Sequence, residues 1–93
     1  MNLRNRRKPS EASEDLRLVK KVLATVVTAD WTTAVLNTQL MNLTAAFDIA
    51  MRRATDRNCK DRHVFLDLAV DAVAERLRVF RLAGVLPPAL TRR

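Results

Sequence analysis

The segment that decides the fold is WTTAVLNTQLMNLTAAFDIAMRRATDR, residues 31–57. It contains no Gly or Pro, and its apolar residues recur at spacings of three and four, as on one face of an α-helix. These apolar positions are Leu36, Leu40, Leu43, Phe47, Met51 and Ala54. We predict a single helix over residues 31–57, N-capped by Asp30 and about 40 Å long. A helix of that length needs a long partner to cover its apolar face.

Helical patterns lie on both sides of this segment. A first helix is predicted to begin at Ser10 or Ser13 and to fray by about residue 29. Its apolar residues are Leu16, Val19, Leu23, Val26 and Val27. The polar residues 56–62 predict a connection, after which Asp61 can cap a third helix and Gly84 can occupy its C′ position.

The predicted fold class is therefore all-α, with a three-helix protomer whose second helix is long. The chain has 93 residues, one Gly and three Pro, which favours one helical domain over a turn-rich β fold. We predict a flexible basic tail at 1–9, a helical domain at 10–86 and a basic C-terminal tail at 87–93. The third helix has more apolar surface than a small monomer can cover. A dimer interface would use this surface, although the core of a single protomer is the simpler alternative.

The net charge of the chain is +7, from 17 basic and 10 acidic residues. Such an excess attracts polyanions, either nucleic acid or an anionic membrane. Thirteen of the cations are Arg, whose forked guanidinium suits phosphate oxygens. A solvated basic surface without any polyanion partner is the plainer alternative. We expect no membrane partner and no signal peptide, because the chain has no long apolar run.

One flank of the predicted second helix carries the candidate binding residues. It lies about 90–100° from the centre of the apolar stripe. The candidates are Gln39, Asn42, Ala46, Arg53 and Arg57, joined by Lys60 if the helix continues. The amides can donate hydrogen bonds to phosphates or ribose hydroxyls, Ala46 allows close approach, and the cations supply charge. A long, straight face of this kind suits the wide, shallow minor groove of duplex RNA better than the DNA major groove. A solvated helix side is the alternative.

Enzymatic chemistry has no visible support in the sequence. Cys59 is the only cysteine, so it can form neither an intrachain disulfide nor a cysteine-based metal site, and an interchain disulfide stays open. His63 has no companion ligand or nucleophile, and Asp67, Asp71 and Glu75 are typical of a solvated helix stripe. We therefore predict no catalytic residue, no metal, no cofactor and no small-molecule substrate.

Several short pieces of the sequence are kept at intervals that match one known family. Thr28-Ala29-Asp30 precedes the long helix, and Arg53-Ala54-Thr55 follows 25 residues later. The third helix opens with Arg62-His63, and its later residues continue the match. These are Val64, Leu68, Asp71, Val73, Ala74 and Arg76. Over roughly residues 28–80 the chain therefore resembles the small suppressor of RNA silencing made by alphanodaviruses.

The resemblance implies an antiparallel homodimer that forms a four-helix bundle and binds one face of double-stranded RNA without regard to sequence. Long RNA would be shielded from Dicer and short interfering duplexes sequestered, in the host cell cytoplasm. It assigns Arg53 a contact to the RNA backbone. The chain departs from the family pattern at two places, which limits how many RNA contacts can be assigned from the resemblance. Ala46 and Ile49 stand where the family often has a basic residue, and Arg62 stands where the family has Pro.

Two other classes of function stay open at the level of sequence. A helical adaptor or anti-activator would use its apolar surface for a protein partner and its charge for solubility. A dimeric DNA-binding protein is the other alternative, although no Gly-containing short turn between compact helices is present to favour a helix-turn-helix.

Overall fold

The computed structural model describes residues 11–84, and within that range it is all-helical. Three helices follow in order: α1 (Glu11–Ala24), α2 (Thr33–Ala54) and α3 (Arg62–Leu82). The predicted all-α class and the long second helix are confirmed, since α2 is the longest element at 22 residues. The basic tails predicted at 1–9 and 87–93 lie outside the described residues.

The body of the fold is a hairpin of α2 and α3, with α1 packed mainly against α2. One buried cluster joins Val19 of α1 and Ala46 and Ala50 of α2 to Phe65 and Ala69 of α3. The second cluster lies nearer the α1–α2 connection and holds Val27, Leu36, Leu43 and Val79. Burial of these apolar side chains is the main favourable contribution to the stability of a domain this small.

Helix α2 begins two residues later than predicted, and its N-cap is Thr32 rather than Asp30. The Thr32 hydroxyl accepts a hydrogen bond from the Val35 backbone N–H at 3.2 Å. Asp30 does not cap the helix. Its carboxylate accepts a hydrogen bond from the Thr28 hydroxyl, inside a turn in which the Trp31 N–H donates to the Thr28 carbonyl. Two candidate cap residues therefore compete here, and the one nearer the helix caps it.

The end of α2 also differs from the prediction, by three residues. The carboxylate of Asp56 accepts a hydrogen bond from the Asn58 N–H at 2.9 Å, and the Asp56 carbonyl accepts from the Cys59 N–H at 3.0 Å. This local turn takes backbone groups that a continuing helix would need. The helix therefore ends at Ala54, and Arg57 and Lys60 lie on the α2–α3 connection (residues 55–61) instead of extending the helical flank.

The buried face of α2 is rotated relative to the predicted stripe. Leu36 and Leu43 are buried as expected, but Leu40, Phe47, Met51 and Ala54 are only partly covered. Gln39, Ala46 and Ala50 complete the buried set. The rotation arises because α1 covers a side of α2 that lies outside the predicted apolar stripe. The small alanines on that side allow the two helices to approach closely.

The predicted boundaries of α3 are close to those observed. Asp61 occupies the N-cap position, although its side chain makes no capping hydrogen bond. Gly84 follows the C-cap with φ +73°, a left-handed conformation that glycine adopts without a Cβ penalty, and its N–H donates to the Arg81 carbonyl at 3.2 Å. The C′ prediction is confirmed.

Candidate nucleic-acid interface

Helix α1 lies on the flank of α2 that the sequence singles out as a binding surface. Gln39 is only 5% exposed, and its Nε2 donates to the Val22 carbonyl of α1 at 3.3 Å. Ala46 is 1% exposed and packs in the cluster that contains Val19. Neither residue is accessible to a ligand in this arrangement, so their expected role as RNA contacts is corrected to packing against α1.

Arg53 is held by two carboxylates of α1. Its Nε donates to Asp15 Oδ2 at 2.7 Å, and its Nη2 lies 3.8 Å from Glu11 Oε1. The hydrogen bond that Arg53 donates to Asp15 raises the pKa of the Arg53 guanidinium, with only partial opposition from desolvation. The Arg53 side chain is 22% exposed. Its charge is therefore largely compensated within the chain, by partners that are distant in the sequence.

The remaining predicted contacts are exposed but do not share one helix face. Asn42 lies on α2, whereas Arg57 and Lys60 lie on the α2–α3 connection. Within residues 11–84 neither cation makes an ion pair. Lys60 lines a surface cavity of about 290 Å³ together with Arg62 and His63.

Four exposed cations lie within eleven consecutive residues, where α2 passes into α3. We call Arg52, Arg57, Lys60 and Arg62 the basic corner. Two carboxylates lie in the same stretch, Asp56 and Asp61, so residues 52–62 hold five cations, Arg53 included, against two anions. The sequence analysis did not include Arg52 and Arg62 among the binding residues. If the second helix ran to residue 57 or beyond, these two residues would lie off the flank that carries the candidates.

The charge of the described region differs from that of the whole chain. Residues 11–84 hold 11 Lys or Arg and 10 Asp or Glu, which leaves a net charge of +1. The other six cations precede or follow this region in the sequence, at Arg4, Arg6, Arg7, Lys8, Arg92 and Arg93. Residues 11–84 are therefore nearly neutral as a whole, and the basic corner is a local excess of positive charge. Its location is a better guide to a binding site than the net charge of the chain.

The side of the α2–α3 hairpin opposite α1 is an uncovered apolar face. A groove of about 390 Å³ runs along it, lined by Phe47 and Met51 of α2 and by α3 residues. The α3 residues are Leu66, Ala69, Val70, Val73, Ala74 and Leu77. Val70 is 61% exposed and Leu66 48%, which is unusual for large apolar residues aligned on one helix face. We call this surface the apolar face.

Arg76 lies at one end of the apolar face, beside a second groove that includes Met41 and Phe80. Its guanidinium lies 5.6 Å from the centroid of the Phe80 ring, within range of a cation–π interaction. The Arg76 Nε is buried without a hydrogen-bond acceptor in the described residues. Burying an N–H donor without an acceptor costs free energy. Arg76 is therefore a polar group at the end of an otherwise apolar surface.

Across residues 11–84, no group of three or more His, Cys, Asp or Glu side chains is placed to hold a metal ion. None of the three helices is long and apolar enough to span a membrane. His63 is exposed at the start of α3. No protein-family model, curated protein or solved structure matches this chain.

Proposed function

We propose that this protein binds the sugar–phosphate backbone of double-stranded RNA, without regard to sequence, as a homodimer. In this proposal it suppresses RNA silencing in the host cell cytoplasm, by shielding long double-stranded RNA from Dicer and sequestering short interfering duplexes. The observation that carries the proposal is the basic corner, whose cations are exposed and make no ion pairs within residues 11–84.

Unpaired, exposed cations are the groups that gain most from a phosphate backbone. Arg and Lys release condensed counterions when they neutralise phosphates, and this term requires no particular base sequence. Three members of the basic corner are Arg, which can donate two parallel hydrogen bonds to one phosphate. An ion-paired cation such as Arg78, bound to Glu75 at 2.7 Å, gains much less.

Duplex RNA is proposed over DNA on the family resemblance. Helix α2 and helix α3 each exceed 20 residues, and neither is a short helix that could enter a major groove end-on. The α2 flank that the sequence predicts as the RNA surface is covered by α1, so the shape of that flank does not support the choice. Within residues 28–80 the resemblance is to the alphanodavirus suppressors, whose ligand is duplex RNA.

The apolar face supports the homodimeric part of the proposal. A second copy packed through the same face would place two α2–α3 hairpins together as an antiparallel four-helix bundle. A two-fold arrangement uses identical patches on both partners, so one self-complementary apolar face is sufficient. Helix α1 lies on the other side of the hairpin, and it would not obstruct this contact.

The basic corner is tested by Arg57→Ala/Lys60→Ala. We expect affinity for duplex RNA to fall about tenfold, and the slope of log affinity against log salt to become shallower by about 1 for each lost phosphate contact. The control is Lys20→Ala/Lys21→Ala, which removes the same charge from exposed positions of α1. Fluorescence anisotropy across a salt series measures both quantities. Equal losses from the two pairs would contradict a localised site.

A helical adaptor is the second candidate function, and the apolar face favours it. In that case the face would bind another protein, and the charge would serve solubility. An adaptor contact is apolar and nearly insensitive to ionic strength, whereas phosphate binding weakens steeply as salt rises. Pull-down of a partner that survives high salt, together with a lack of RNA binding, would favour the adaptor.

A further inference from the structure

The contact of Arg53 with α1 has the chemistry of a phosphate contact. Asp15 accepts a charge-assisted hydrogen bond at 2.7 Å, and Glu11 adds a second negative charge 3.8 Å from the guanidinium. Phosphate oxygens would offer Arg53 the same type of acceptor and the same sign of charge. The two carboxylates therefore occupy Arg53 in the way that an RNA backbone would.

The N-terminal half of α1 is weakly attached to the rest of the fold. No residue from Glu11 to Leu18 is fully buried, and Leu18 is 48% exposed, whereas Val19 in the next position is 0% exposed. The contact that holds the C-terminal half is separate, since it joins Gln39 to the Val22 carbonyl. The first two turns can therefore lift away while Val19 and Val22 stay in place.

Weak burial and a polar attachment are the features of an element that opens locally. Segments with few buried apolar contacts open at lower free energy than the core of the same protein. The attachments at this end of α1 include the carboxylates on Arg53 and the partly buried Leu16. A polyanion competes directly with the first of these.

We infer that residues 11–18 of α1 are an autoinhibitory cover, in which Glu11 and Asp15 hold Arg53 until the backbone of duplex RNA displaces them. The inference rests on the proposed function and adds a regulated contact to it. The basic corner binds first because its cations are free, and Arg53 joins the interface after the cover opens. Binding at Arg53 and docking of residues 11–18 are thus mutually exclusive.

Hydrogen exchange on the full chain without RNA tests the cover itself. Amides 15–18 are expected to exchange faster than those of 43–50 in α2, and Glu11→Gln/Asp15→Asn is expected to accelerate 15–18 further without changing 43–50. The matched control is Asp67→Asn/Asp71→Asn, which removes two exposed carboxylates of α3 that make no ion pair in residues 11–84. Unchanged exchange at 15–18 in the α1 variant would overturn the inference.

Affinity for duplex RNA tests the competition. Glu11→Gln/Asp15→Asn should bind about fivefold more tightly than the control variant, which carries the same change in net charge. Adding Arg53→Ala should remove that advantage. The inference is overturned if the two double variants gain equally, or if the advantage persists without Arg53. If the unmodified chain binds duplex RNA but this advantage is missing, only the inference of an autoinhibitory cover is rejected. If neither the unmodified chain nor any variant binds, the proposed function is rejected as well.

Discussion

Val70→Asp is expected to dissociate the proposed homodimer into monomers. In the proposed dimer Val70 lies at the centre of the apolar face, and the two-fold axis brings two copies of the new carboxylate into one desolvated interface. Burial of unpaired charge should cost about 4 kcal/mol, which weakens the dissociation constant about a thousandfold. The fold of the protomer should survive, because Val70 is 61% exposed in the single chain.

Sedimentation velocity measures this effect directly. The mass should fall from twice the chain mass to the 10.5 kDa of one chain. Val26→Asp is the matched control, because Val26 is 75% exposed and lies between α1 and α2, away from the apolar face. A Val70→Asp variant that stays dimeric would rule out the apolar face as the interface between copies.

Phe65→Ala is expected to cause the largest loss of stability in the chain. Phe65 is 0% exposed and joins all three helices through a cluster with Val19, Ala46, Ala50 and Ala69. Three of these neighbours are alanines, which cannot move to fill the space that the ring leaves. The free energy of unfolding should therefore fall by about 3–5 kcal/mol, from the lost burial and the remaining cavity.

Urea unfolding at one fixed protein concentration measures the change, since a dimer's apparent stability depends on concentration. Leu18→Ala is the control, because Leu18 is 48% exposed on α1 and lies outside both buried clusters. Loss from Leu18→Ala should stay within about 0.5 kcal/mol. A similar loss from both variants would contradict the central place of Phe65 in the core.

Helical content and the two ends of α3 follow from local sequence, whereas α1 ends at Ala24, about five residues before the predicted limit. Gly84 and Asp61 mark the ends of α3 because their effects are confined to one turn of backbone. The ends of α2 were less predictable, because Asp30, Thr32 and Asp56 all offer polar side chains near the termini. Which of them caps or breaks the helix depends on competing hydrogen bonds, such as the one between Thr28 and Asp30.

The candidate site could be predicted only in part, because periodicity identifies a flank but not the element that covers it. Gln39 is a polar residue in a helical pattern, and only the approach of α1 explains its burial and its bond to Val22. Arg53 is basic in the sequence but paired in the fold, through partners 38 and 42 residues away. Arg57 and Lys60 stayed exposed, although on a connection rather than on the helix.

The most direct test of the central claim is equilibrium binding of the full chain to three labelled nucleic acids of identical sequence. These are an RNA duplex of about 25 base pairs, the matching DNA duplex and single-stranded RNA. The duplex length exceeds the roughly 16 base pairs over which proteins can read two successive minor grooves of RNA. We predict tightest binding to duplex RNA, the same affinity for a second RNA duplex of scrambled sequence, and affinity that falls steeply as salt rises. Equal or tighter binding to DNA, or no binding to duplex RNA at about 0.1 M salt, would contradict it.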